Sequence, residues 1–236
     1  MAKFLPQKTT EKKPHTSIRS VLQKFFILNL ILLASGSATW VFFTLTKKIY
    51  LGTPIMLFGL IAGLVFGITT GFRKRLSPYL TPVFAVLEGL FVGTYAYFSE
   101  IKFSLITLQA ICMVFLIMGA MLLVYISRYI SYPQKFRRTL EYAAFSIVGF
   151  YIVTMIMSLF FNIDVPIVFS RDWAGLTFST AVLVVITLTF FVVYDSVDQM
   201  IKAHGSVFME WYSGFLVLVT EIWLLIESFH LLQKVR

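Results

Sequence analysis

The chain has 236 residues, of which 58% are apolar and only 13% charged, about half the charged share of an ordinary soluble domain. That balance leaves too little polar surface for a soluble globule and is the reverse of a disordered composition. The single cysteine, Cys112, excludes an internal disulfide scaffold. An all-α polytopic membrane protein remains, and the question is where its net charge of +9 sits.

Residues 1–24 carry Lys3, Lys8, Lys12, Lys13, Arg19 and Lys24 against Glu11 and contain no apolar run. They read as a basic cytosolic tail with neither a cleaved signal peptide nor a lipidation box. The membrane domain, 25–236, divides into seven apolar runs near 25–46, 54–71, 79–98, 103–125, 142–162, 174–195 and 211–232. Each is about 18 to 23 residues, enough for a membrane helix. The alternation of a membrane β-barrel is missing. The second run holds Gly59, Gly63 and Gly67, a small-residue series suited to close helix packing. Trp40, Tyr50, Tyr79, Tyr97, Tyr125, Trp173, Tyr194, Trp211 and Tyr212 lie near the run ends, where amphipathic rings favour the interface. With the N-terminus inside, about 14 of the 20 Lys and Arg fall on the cytosolic face. The basic clusters Arg73-Lys74-Arg75 and Arg128 with Lys135, Arg137 and Arg138 therefore read as topology signals that also attract anionic lipid. They require no nucleic-acid partner.

Acids within apolar runs are the informative residues, because an ionised carboxylate in the hydrocarbon core is costly. Glu88, Glu221 and Glu227 qualify, and Asp195, followed by Asp198, lies at the inner end of the sixth run. From the helical rise, Glu88 and Glu221 lie about 14–15 Å deep, near the middle of the membrane, and Glu227 about 24 Å deep. Glu227 follows Glu221 by six residues, about 240° around the helix, so the two do not share a face. No Lys or Arg interrupts the runs, so the acids are expected to lack a basic partner. Such acids share protons, bind a cation or meet water; the plain alternative is protonated carboxyls bonding between helices. His204 reads as loop surface, His230 as an interfacial histidine and Cys112 as a small core residue. Metalloprotease, serine-hydrolase and nucleotide motifs are missing, and the three histidines are scattered, so no enzyme, resident cofactor or permanent metal is expected.

Two stretches carry a family resemblance. LTPVFAVLEGLFVG occupies 80–93; FFVVYDSVDQ at 190–199 precedes MEWYSGFLVLVTEIWLLIESFHLL at 209–232. Together with seven runs and a basic tail, they resemble the Bax inhibitor-1 family in its bacterial branch. The resemblance implies six helices around a central seventh. It also implies a pH-sensitive calcium leak governed by carboxylates on the last two helices. Asp195 matches the acid of the sixth helix, Glu221 best matches the second acid, and Glu227 matches a glutamate common in the bacterial branch. Calcium would bind transiently at Asp195 and Glu221. A shared proton would close the pair at low pH, and ionisation would open it. The family's arginine latch on the second helix has no counterpart inside that run; Arg73 or Arg75, at its inner end, are the candidates. The implied partners are lipid, calcium and protons, and a monomer suffices. The implied location is a bacterial plasma membrane, with the N-terminus cytosolic and the C-terminus outside. The other readings are a membrane interaction or stress-regulatory protein without conduction, and a proton-coupled small-solute transporter.

Overall fold

The computed structural model describes residues 17–127, 133–163, 165–203 and 206–236. Lys3, Lys8, Lys12, Lys13, Glu11, His15, Arg128 and His204 lie outside the described residues. Among the described residues, seven long helices form: α1 (Ile18–Thr46), α2 (Gly52–Phe72), α3 (Ser77–Lys102), α4 (Ile106–Ile126), α5 (Gln134–Phe161), α7 (Trp173–Lys202) and α8 (Val207–Val235). A single turn, α6 (Pro166–Phe169), lies between α5 and α7. All seven long helices are long and apolar enough to cross a membrane, so the chain is a multi-pass membrane protein and α7 and α8 are its sixth and seventh spans.

Most of these helices outrun their apolar stretches. Seven are between 21 and 30 residues long, about 31 to 45 Å, against a hydrocarbon core of about 30 Å. The excess turns are polar and project beyond the core. Local chemistry sets the ends. Ser17 and Ser20 cap α1 reciprocally. Asp172 caps α7 by accepting the Gly175 N–H at 3.1 Å. The Ser170 hydroxyl, donating to Asp172 at 2.5 Å, holds that carboxyl below its usual range, helped by the Gly175 N–H. Leu105 sits at φ 63° before α4, a left-handed conformation that costs a leucine about 1–3 kcal/mol. Glu100 at the end of α3 holds it there, accepting the Leu105 N–H at 2.5 Å and the Thr107 N–H at 3.1 Å.

Two helices form the centre. Half or more of the apolar windows of α3 and α8 are buried, whereas α2, α4 and α5 are mostly exposed. α8 packs against α1, α3, α4 and α7; α2 leans on α3, and α5 on α7. The expected central seventh helix is therefore present, with α3 beside it. Leu28 and Leu32 of α1, Phe84 and Ala85 of α3, and Phe215 and Leu218 of α8 make one buried cluster. Val182, Ile186 and Phe190 of α7 meet Leu224 of α8 in another.

Because lipid is as apolar as leucine, close backbone approach and interhelical bonds hold such helices together. A Cβ on Gly93 would lie 2.5 Å from the Gly36 carbonyl oxygen, and one on Gly89 2.6 Å from that of Leu32. Ser35 donates across the same α1–α3 crossing to the Val86 carbonyl at 2.8 Å. The glycines of α2 serve packing as well: Gly59 faces the α3 backbone, Gly63 the Glu88 carboxyl and Gly67 the Phe84 ring. The outward faces are apolar, with Phe26, Leu30, Phe58, Leu116 and Phe145 exposed to the bilayer. Trp173, Tyr50 and Tyr79 are exposed near helix ends, as an interfacial belt requires. Cys112, expected in the core, is instead exposed on α4, a face that a small apolar residue suits equally well.

Candidate functional site

At the end of the bundle that carries Arg73 and Arg75, α5 crosses α7 through one arginine. The Arg137 Nε donates to Glu141 Oε1 at 3.0 Å, Nη1 to Asp195 Oδ2 at 2.8 Å and Nη2 to Ser196 Oγ at 2.9 Å. Gln199 Nε2 also donates to Asp195 Oδ2 at 2.8 Å. Helical spacing builds this clamp: Arg137 and Glu141 share a face of α5, and Asp195 and Gln199 a face of α7. The planar guanidinium spans the two faces as a point charge cannot. The Arg137 and Asp195 side chains are 27% and 30% exposed, so water screens them only in part. The expectation that Asp195 lacks a basic partner is therefore overturned. α5 begins at Gln134, well before its apolar run, and carries Arg137 onto the helix. Asp198 pairs with Lys202 at 2.5 Å on the exposed side of α7, a surface pair worth about 0.3–0.5 kcal/mol. Neither Arg73 nor Arg75 makes an ion pair among the described residues. α2 stops at Phe72, leaving Arg73 as its cap and Arg75 in the following turn.

Glu221 lies 14 residues into α8, about 21 Å along the axis. It is buried, and its Oε2 accepts the Asn29 amide of α1 at 2.9 Å. Asp195 lies seven residues from the end of α7, about 10 Å from that helix end. The short link between α7 and α8 makes them an antiparallel hairpin, so the two acids are offset by about 10 Å along the bundle. Asp195 and Glu221, expected as a pair, thus sit at different depths, each with its own partner. The acid at a depth close to that of Glu221 is Glu88, because the Ser77 hydroxyl donates to the Phe208 carbonyl and registers α3 against α8. Glu88 is buried and faces Gly63.

Asn29 is the residue that sequence reasoning missed here. Its signal is plain in retrospect: it is the single polar residue of FFILNLILLA, where an amide needs a partner. Asn29 and Glu221 lie at one end of a 260 Å³ cavity between α1, α3, α4 and α8, otherwise lined mostly by apolar side chains.

Glu227 points toward a different helix, as the 240° rotation predicts. The Tyr151 hydroxyl of α5 donates to Glu227 Oε2 at 2.8 Å, and His230 Nδ1 lies 3.5 Å from the same oxygen. Glu227 Oε1 is buried with no partner among the described residues. Beyond it, the C-terminal turns of α8 tie the opposite end of the bundle together. Gln233 donates to Ser99 at 2.8 Å, and Lys234 to the Gly175 carbonyl and Ser179 at 3.0 and 2.8 Å. Replacing Tyr151 with phenylalanine removes the one short bond to Glu227. It is expected to cost about 1–3 kcal/mol, read as a lowered midpoint of thermal unfolding in detergent; an unchanged midpoint would mean that this bond holds nothing.

The described residues contain no group of three or more His, Cys, Asp or Glu side chains able to hold a metal. The geometry is that of a helical membrane protein with carboxyls at several depths along its central helix. The Bax inhibitor 1 like family model matches residues 2–236, and the chain belongs to that family. No curated protein and no solved structure matches it.

Proposed function

We propose that this protein is a cation leak, with calcium as the ion, closed by the Arg137 clamp and opened when Asp195 takes a proton. The observation that carries the reading is a set of four carboxyls at successive depths of the bundle, on α7, α3 and α8. Asp195 lies near the basic end, Glu88 and Glu221 at mid-depth, and Glu227 about 9 Å beyond Glu221. Of these, Asp195 alone is held by a Lys or Arg side chain among the described residues. Family membership supports the choice of a leak over a catalyst. Carboxylates, the Asn29 amide and water are the oxygen ligands that calcium accepts, and a weak, unfinished site suits an ion that must also leave.

The pH sign follows from the clamp. An ionised Asp195 accepts two charge-assisted or polar donors, from Arg137 and Gln199. Protonation removes the charge that the guanidinium holds, so acid at the basic face loosens α5 from α7 and flux rises. This is opposite to the sign expected of a proton shared between Asp195 and Glu221. The excess of Lys and Arg on the basic face supports reading that face as cytosolic and the end of α8 as outside, and family membership supports a bacterial plasma membrane as the location.

The test is calcium entry into proteoliposomes. Asp195→Asn together with Glu221→Gln is expected to flatten the dependence of flux on pH. A pH profile identical to wild type would remove both residues from the gate. If neither form passes ions and crosslinking captures a stoichiometric membrane partner, the protein is an interaction module whose acids serve packing.

A further inference from the structure

The cavity beside Glu221 has a shape and polarity that a route for hydrated ions does not explain. Leu32, Val92, Val114, Leu225 and Phe229 line it, and exposed Leu33, Val41 and Phe115 form a rim toward the bilayer between α1 and α4. Along α8 it extends from Glu221 to Phe229, about 12 Å, and at 260 Å³ it is smaller than the ~300–1,000 Å³ of a drug-sized pocket. It therefore suits one alkyl chain. Its inner end is different. Glu221 is the one charged side chain of the lining, with only 8% of its surface exposed. Asn29 bonds Glu221 Oε2, leaving Glu221 Oε1 and the Asn29 carbonyl oxygen without a protein partner among the described residues. A carboxylate oxygen and an amide oxygen together accept two of the three N–H groups of a primary ammonium. A neutral or anionic lipid brings no charge to match the carboxylate.

We propose that this cavity binds a membrane-partitioned primary alkylamine, its ammonium on Glu221 and Asn29 and its chain running along α8 toward Trp40. Apolar walls supply burial along the chain, and the buried carboxylate supplies selection for the cation. The site stands on the cavity alone, whether or not ions cross the protein.

The geometry gives an optical test, because Trp40 lines the end of the cavity remote from Glu221. The probe is 10-bromodecylamine, whose terminal bromine quenches a tryptophan in contact with it, added to the full chain in nanodiscs of zwitterionic lipid. The expected result is a saturable loss of emission that Trp40→Phe removes. 10-Bromodecanol is expected to give only the linear quenching of probe dissolved in lipid. Glu221→Gln is expected to weaken saturable binding at least tenfold. Ser37→Phe, which fills the cavity from its exposed rim without touching the carboxyl, is expected to abolish it. Equal saturable quenching by the alcohol, or full binding to Glu221→Gln, would reduce the cavity to an unselective acyl-chain groove and overturn the proposal. Absence of any saturable quenching in wild type would overturn it as well.

Discussion

Replacing Arg137 with alanine is expected to raise calcium flux into proteoliposomes by about ten- to a hundredfold and to blunt its response to pH. The substitution removes three bonds at once, to Glu141, Asp195 and Ser196. Hydrogen bonds to charged groups are worth about 1.5–3 kcal/mol net, and each 1.4 kcal/mol moves an equilibrium about tenfold. The loss falls on the closed state, because the clamp is the polar tie between α5 and α7 at this end of the bundle. Asp195 keeps only the Gln199 amide, so its protonation has less left to release. Arg137→Lys retains the charge but not the fork, and an intermediate flux is expected. A folded Arg137→Ala protein with wild-type flux and wild-type pH dependence would show that the clamp does not close the path.

Gly93→Leu is expected to be the most damaging single change to the fold. A Cβ at this position meets the Gly36 carbonyl oxygen at 2.5 Å and its Cα at 2.7 Å. Both are backbone atoms, so the whole of α1 has to shift, and three further carbons would follow the first. Overpacking of this kind costs about 1–3 kcal/mol even where side chains can adjust. The shift would also pull Ser35 from its bond to the Val86 carbonyl and strip α1 from the cluster around Leu28 and Leu32. Thermal unfolding in detergent is the readout, with Gly71→Ala as the control. Nothing lies within 4 Å of a Cβ on Gly71, so that change is expected to be neutral or to add up to about 1 kcal/mol through helix propensity. A Gly93→Leu protein as stable as Gly71→Ala would contradict the close α1–α3 crossing.

The spans were legible because hydrophobicity over about 20 residues is a strong, local signal. Their ends were less so. Polar turns such as Gln134–Leu140 and Ser196–Lys202 continue the helices beyond the apolar runs, and composition alone stops at the first charge. That difference decided the site. Arg137 read as one cationic residue of a topology cluster, when in fact the extended α5 brings it to Asp195. Sequence identified Asp195, Glu221, Glu88 and Glu227 as costly acids but not their partners. Asn29 and Tyr151 are brought to them by three-dimensional packing, whereas His230 stands beside Glu227 through the i,i+3 spacing of α8. The phase between Glu221 and Glu227 was readable from the 3.6-residue period, and the two do face α1 and α5 respectively. The register of α7 against α8 was not, because it depends on where the turn between them closes. The small residues divide in the same way. Gly59, Gly63 and Gly67 stand out as a series on one helix, whereas Gly36, Gly89 and Gly93 acquire their meaning only when α1 is laid on α3.

Calcium entry into sealed proteoliposomes carrying the wild-type chain, followed with an internal indicator while the pH at the basic face is stepped downward, decides whether the Arg137 clamp is a proton-opened gate. A protein-dependent flux that increases as that face is acidified is the expected result. A flux no greater than that of protein-free liposomes at every pH, or one that falls as the basic face is acidified, would contradict it.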